Sequence, residues 1–178
     1  MKRAIQLIAI VYMLFAIAVC VFGGERPTVN LPLELRQKNY GSSCCHAAFI
    51  SLLRWQGRYA MADYWRSKYS GGAYWNTFQQ KMDREGIRYA QTIHGDVGFL
   101  EWACSSRRGC AIQIPGSRGG YHMVALVHLD AKWAGILDNN SVSQYRWIPR
   151  DELISKWKRA KGGWAIAVIY TPAAPLPR

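Results

Sequence analysis

Acidic residues are scarce in this chain of 178 residues, which has 11 Asp and Glu against 23 Lys and Arg and a net charge of +12. The basic residues also form no long run, and none exceeds a pair such as Arg107-Arg108. Without a basic tail or block we expect a solvated basic surface and no specific nucleic-acid partner. Such a surface would still attract acidic partners, among them anionic lipids and cell-wall polymers.

Internal repeats and long linkers are also lacking, which favours one domain over an array. Half of the residues are hydrophobic, and 8 Trp and 10 Tyr are among them, enough to build a packed core. We place the domain at residues 27–170 and expect a monomer. The proline-rich residues 171–178 are predicted to be an extended tail.

The N-terminus carries a different pattern. Lys2 and Arg3 precede an apolar stretch, residues 4–22, that only Gln6 interrupts, and two glycines follow. A basic start, an apolar run and small residues are typical of an export signal, although the run is also long enough to span a bilayer. Residues 1–24 are therefore predicted to be a signal peptide or a membrane anchor. The protein would be secreted or periplasmic, or membrane-tethered with its domain outside.

Four cysteines lie outside this leader: Cys44, Cys45, Cys104 and Cys110. In an exported protein a disulfide is permitted, and a bridge from Cys104 to Cys110 would close a short loop. The sequence leaves that bridge open. Adjacent cysteines such as Cys44 and Cys45 rarely bridge each other because the ring is strained, so at least one free thiol is expected.

Hydrophobic periodicity separates a helical first half from a second half richer in strands. The predicted helices are Cys44–Gln56, Ala60–Tyr69, Tyr74–Arg84, one capped by Asp96, and Arg150–Arg159. The predicted strands are Ile87–Ile93, Ala111–Ile114, His122–Leu129, Trp133–Leu137 and Trp164–Tyr170. This order predicts an α+β fold, with N-terminal helices packed on a C-terminal antiparallel sheet.

Cys44 lies at the start of the first helix. Unpaired N–H groups and the helix dipole favour an anion there, which biases the sulfur toward the nucleophilic thiolate. The alternative is that Cys44 and Cys45 are only small apolar residues of the core.

A histidine stands at the start of a buried strand. A turn at Asp130–Lys132 makes a hairpin of the strands before and after it, so either Asp138 or Asn139 is expected opposite His122, depending on the register. A residue facing the imidazole can accept its ring N–H and orient it, as in nucleophile–base–orienter sites. The alternative is a polar turn without a catalytic role.

These motifs resemble the papain-like cysteine peptidases. The shared pattern is a Gln before a Cys that opens a helix, then a His at a strand start, then an Asp or Asn about sixteen residues later. The bacteriocin-leader-processing (double-glycine) peptidases are the most similar group within them. The resemblance implies Cys44 as nucleophile, His122 as base and acid, Asp138 as orienter, and Gln37 as oxyanion donor.

Two departures from the family pattern leave alternatives. Cys45-His46 stands where the family has Gly-Pro, so Cys45 competes with Cys44, and Gln37 lies one residue further from Cys44 than the pattern has it. Asn139 likewise competes with Asp138.

The expected function is hydrolysis of peptide bonds in a peptide or protein, without a cofactor. An inactive papain-like module that binds acidic envelope components is one alternative, and transglutaminase-like or amidase-like acyl transfer is another. A metal held by Cys44, Cys45, His46 and His122 is not expected, because adjacent ligands do not match zinc spacing.

Overall fold

The computed structural model describes residues 31–117 and 119–170, so the predicted leader (residues 1–24) and tail (residues 171–178) lie outside the described residues. A short 3₁₀ helix (Leu33–Leu35) precedes the helices α1 Cys44–Trp55, α2 Tyr59–Lys68, α3 Trp75–Arg84, α4 Val97–Ser105 and α5 Arg150–Arg159. The strands are β1 Tyr89–Thr92, β2 Cys110–Pro115, β3 Tyr121–Leu129, β4 Trp133–Leu137, β5 Tyr145–Pro149 and β6 Ala165–Val168. Within these ranges, each helix is too short or too polar to traverse a bilayer.

The strands form one sheet in the order β1-β6-β2-β3-β4-β5, and every neighbouring pair is antiparallel. The predicted α+β class, with helices first and an antiparallel sheet second, is therefore confirmed. Edge strand β5 was not predicted. Ile148 is its one buried residue, so its sequence lacks the apolar alternation that marks a half-buried strand.

The alternation of β3 divides the core into two layers. Met123, Ala125 and Val127 face a cluster that includes α1, α2 and α3. Val124 and Leu126 face a second cluster, which includes residues of α4 and α5. The sheet is thus buried on both faces, and this burial explains the long apolar run of β3.

Helix α1 is the most deeply buried helix of the first layer. Phe49, Leu52 and Leu53 are fully buried, and the Phe49 ring lies 4.8 Å from the Trp65 ring and 5.3 Å from the Phe78 ring, measured between centroids. Ring pairs at these separations add to the hydrophobic burial. The start of α1 is therefore held by a rigid aromatic core.

The bridge left open by the sequence is not formed, because Cys104 and Cys110 are free thiols. Burial raises the pKa of Cys104 to about 12. Burial, followed by the nearby Cys104, also raises the pKa of Cys110. Both thiols are therefore protonated and inert over the physiological pH range.

Candidate active site

The first turn of α1 lies at a cleft of about 630 Å³. Gly41 takes a positive φ of 63° in the preceding turn, a conformation that glycine adopts without steric cost. Ser43 follows, and its hydroxyl accepts a hydrogen bond from Gly71 N–H at 2.9 Å. The turn therefore places Cys44 at the helix start, on the cleft wall and partly exposed.

Cys45 is 4% exposed, and its sulfur lies 3.6 Å from the Ala73 carbonyl oxygen. It also contributes to the cleft wall. Of the two adjacent sulfurs, Cys44 is thus the more accessible one.

His122 and Asp138 meet as the hairpin predicts, with 2.8 Å between His122 Nε2 and Asp138 Oδ1. A β-bulge between Leu126 and His128 decides which residue of the return strand faces the ring. Past the bulge, Ala125 pairs with Leu137. Continuing that register places Asp138 on the same side of the sheet as His122. Without the extra residue Asn139 would take that side, because a shift of one residue exchanges the two faces.

Asp138 has further hydrogen bonds that fix its carboxylate. Asn140 N–H donates to Oδ1 at 3.0 Å, and Arg146 donates to Oδ2 at 3.2 Å. The hydrogen bond from His122 is the largest influence on this carboxyl, and together with those of Asn140 and Arg146 it outweighs burial and lowers the pKa of Asp138 to about 2. Asp138 is therefore an anion at neutral pH.

Asn139, the rival to Asp138, faces the other way. Its side-chain nitrogen donates to the Cys44 carbonyl at 2.9 Å and to the Met123 carbonyl at 2.8 Å. One acceptor belongs to Cys44 itself, and the other belongs to Met123, which follows His122. Asn139 is 1% exposed, and its side chain joins α1 to β3 through these two hydrogen bonds.

The Cys44 sulfur interacts with both Cys45 and His122. A hydrogen bond from the Cys45 thiol, followed by the hydrogen bond and positive charge of His122, outweighs burial and lowers the pKa of Cys44 to about 4. The Cys44 interaction and burial both raise the pKa of Cys45. Burial alone would lower the pKa of His122, but its hydrogen bonds with Asp138 and Cys44 raise it to about 9. At neutral pH the pair is a thiolate and an imidazolium, a form poised for nucleophilic attack.

Gln37, expected as oxyanion donor, is turned away from this cleft. Its carbonyl oxygen accepts hydrogen bonds from Arg54 at 3.2 Å and from Arg66, and its nitrogen donates to the Lys38 carbonyl at 2.9 Å. It lines a separate, smaller cavity of about 210 Å³. Both ends of the Gln37 amide are therefore hydrogen-bonded outside the cleft, and the prediction of Gln37 as oxyanion donor is corrected.

Asn39 lies at the cleft in its place, a position that sequence reasoning missed. It contributes to the wall around Cys44 and His122, and its side-chain nitrogen donates to Asn140 Oδ1 at 2.9 Å. Neither its residue type nor its spacing matches the family pattern, because Asn39 lies one residue nearer to Cys44 than the Gln of that pattern.

His46 belongs to the core rather than to the site. Its Nδ1 accepts a hydrogen bond from Trp65 Nε1 at 3.0 Å, and its ring stacks on Tyr69. Burial, helped by the Lys81 charge, lowers its pKa to about 4. Among the residues that the structure describes, no group of His, Cys, Asp or Glu is arranged to hold a metal ion.

A second well of about 520 Å³ lies beside the first, lined by Asp138 and Arg146 among others. Asn39, Gly41 and His122 border both wells. His122 thus stands between two adjoining wells, which together form a groove.

Comparison with known proteins identifies the fold. The chain matches no protein-family model and no curated protein. Among solved structures it is similar to the crystal structure of a candidate C39-like peptidase from Bacillus anthracis. That match has a TM-score of 0.63 and 13% identity, and it covers 80% of this chain and 96% of the other. The fold is that of a C39-like peptidase. At this identity, the C39-like likeness establishes the papain-like architecture and not the chemistry.

Proposed function

We propose that this protein is a cysteine peptidase that hydrolyses peptide bonds through Cys44, His122 and Asp138. The observation that carries the proposal is geometric: Cys44 and His122 line the same cleft, and the fixed carboxylate of Asp138 lies 2.8 Å from the His122 ring. These three groups occupy the roles of nucleophile, proton carrier and orienter. The groove on either side of them and the papain-like fold support the same conclusion.

The reaction follows from the charges of the resting site. The Cys44 thiolate attacks the carbonyl carbon, and the carbonyl oxygen becomes an oxyanion. Collapse of this intermediate breaks the C–N bond while the His122 imidazolium gives its proton to the leaving amine. Neutral His122 then takes a proton from water, the resulting hydroxide attacks the thioester, and the Cys44 thiolate and imidazolium are restored as the acid product leaves.

Two donors are available for the oxyanion. The first N–H groups of α1 lack partners within the helix, and the Cys44 N–H is the nearest of them to the sulfur along the chain. Asn39 uses one hydrogen of its side-chain nitrogen for Asn140, which leaves the other for the oxyanion. Preorganised donors of this kind are worth about 10²–10³ in rate.

The proposal extends to family and location. The motifs around Cys44 and His122 favour a relative of the bacteriocin-leader-processing peptidases. The basic and apolar pattern of residues 1–24 favours an exported or membrane-tethered enzyme.

Cleavage of a peptide library tests the proposal with matched cysteine variants. Mass spectrometry of a library digested with the whole protein should show new termini. Cys44→Ala should lower the cleavage rate by about 10³-fold or more, because it removes the nucleophile. Cys45→Ala removes an adjacent sulfur and should retain cleavage. Undiminished cleavage by Cys44→Ala, or its loss only in Cys45→Ala, would contradict the assignment.

A further inference from the structure

A lysine ammonium spans the mouth of the groove. Lys161 Nζ lies 4.3 Å from the centroid of the Tyr74 ring and 5.3 Å from that of the Tyr121 ring. Tyr74 precedes α3, whereas Tyr121 begins β3 directly before His122. The two rings thus stand on the helical and the sheet side of the cleft, and cation–π attraction holds the ammonium between them.

The backbone presents Lys161 at some conformational cost. Its φ is +48°, and a residue with a side chain pays roughly 1–2 kcal/mol in this left-handed region. The loop around it is pinned, because Gly163 accepts a hydrogen bond from Gly95 N–H at 3.3 Å. A Cβ on Gly163 would lie only 2.6 Å from Gly95 Cα. Strain kept in place by close packing is typical of functional positions.

The wall near Lys161 offers donors without a matching acid. The residues that line this well include no Asp or Glu, and no carboxylate in the described part of the chain forms an ion pair with Lys161. Trp164 also lines the well and is 2% exposed, yet its indole nitrogen has no acceptor among the described residues. The described lining of this well therefore includes an ammonium without an ion pair and no carboxylate.

The Arg146 side of the groove differs from the Lys161 side in its charge. Its guanidinium is paired with Asp138, so its charge is already balanced. The uncompensated positive charge therefore lies on the Lys161 side of the groove.

We propose that the well bounded by Tyr74, Tyr121, Lys161 and Trp164 binds a carboxylate of the peptide substrate, so that the enzyme selects an acidic residue near the cleavage point. The inference rests on the proposed function and names the substrate class of that site. The ammonium has three N–H donors, and those that do not point at the two ring faces can donate to the carboxylate.

Thiol-directed peptide probes test the selection without knowledge of the natural substrate. Acetylated tripeptidyl chloromethyl ketones would carry Glu, Gln or Lys at each position in turn, with alanine elsewhere, and intact mass would follow the alkylation rate of Cys44. At one position we expect Glu to react about fivefold faster than Gln, the size of a partly exposed ion pair. Lys should be slower than Gln there.

Charge reversal supplies the decisive comparison. Lys161→Glu should invert the order, so that Lys reacts faster than Glu, and Lys161→Met should bring Glu and Gln within about twofold. The control Lys132→Glu makes the same charge change in the β3–β4 turn and should keep the wild-type order. This turn follows Leu129, which lies about 23 Å along β3 from His122. The Gln rate checks that each variant retains a folded site.

Two outcomes overturn the inference, and they differ from failure of the peptidase proposal. Equal Glu and Gln rates at all positions, or an order that Lys161→Glu leaves unchanged, would refute acid selection while Cys44 still reacts. If the all-alanine probe does not label Cys44 of the wild-type protein at all, both the peptidase proposal and this inference fail.

Discussion

Alkylation of Cys44 as a function of pH tests the charge state on which the proposed reaction depends. With a pKa of about 4, about 90% of Cys44 is thiolate at about pH 5, whereas about 0.03% of free cysteine is. The gain in thiolate is about 3000-fold. A thiolate of low basicity is less nucleophilic. With a Brønsted coefficient of about 0.5, the pKa difference of about 4.5 units between the two thiols lowers the reactivity of the Cys44 thiolate by a factor of about 200. Cys44 should therefore react about tenfold faster than free cysteine at about pH 5.

The same arithmetic predicts the shape of the profile. Free cysteine gains thiolate tenfold per pH unit until about pH 8.5, while Cys44 is already ionised and stays nearly constant. The two rates should cross near about pH 6, and free cysteine should react faster above that point. The falling limb for Cys44 should appear only as the pH drops toward 4, where the thiolate is protonated.

The assay is iodoacetamide labelling of the whole protein, read by intact and peptide mass, with glutathione as the free thiol. At about pH 5 one adduct is expected, on Cys44, because burial or contact raises the pKa of Cys45, Cys104 and Cys110. Cys45→Ala removes the largest influence that lowers the Cys44 pKa, so its falling limb should move to higher pH. A Cys44 rate that climbs tenfold per pH unit through about pH 7 would refute the ion pair, as would an adduct on Cys45, Cys104 or Cys110 at about pH 5.

Three further predictions concern the supporting residues, and two of them have a matched control variant. Asp138→Asn should slow peptide cleavage by about tenfold or more. It should also move the alkaline limb of the pH–rate profile to lower pH, because the carboxylate raises the pKa of His122. A limb that stays at the wild-type pH would argue against the orienting role. Asn39→Ala should lower kcat by about 10²-fold with little change in KM, whereas Gln37→Ala should act mainly on thermal stability; the reverse pattern would restore Gln37 as donor. Gly163→Ala should destabilise the fold by about 2–4 kcal/mol, through a Cβ clash with backbone and a positive φ. The control Gly57→Ala has a positive φ but open space and should cost only about 1–2 kcal/mol in chemical denaturation; equal losses would contradict the packing argument.

The sequence predicts the elements that carry strong local signals. Helix α1 begins at Cys44 as expected, Asp96 caps α4 by accepting from Gly98 N–H at 2.9 Å, and β4 spans the predicted residues. Each of these has apolar periodicity or a recognised cap. Strand β5 has neither, since its pairing with β4 is set by tertiary contact at the sheet edge.

The site shows where local patterns stop being informative. The choice of Asp138 over Asn139 depends on a bulge near Val127, and nothing in that apolar run reveals one extra residue. The orientation of Gln37 depends on Arg54 and Arg66, which belong to helices distant in sequence. Both questions concern which way a side chain faces once the elements are assembled, and the spacing along the chain does not contain that information.

The Asn139 side chain has a consequence for how the groove meets a substrate. One amide group donates to the first carbonyl of α1 and to the third carbonyl of β3. Pulling helix and strand apart would leave this buried amide without its acceptors, at a cost of about 1–3 kcal/mol. The separation between sulfur and imidazole is thereby set before any peptide arrives. The substrate must therefore adapt its conformation to the enzyme. Conformationally restricted ligands should make better inhibitors than flexible ones, because they lose less conformational entropy on binding.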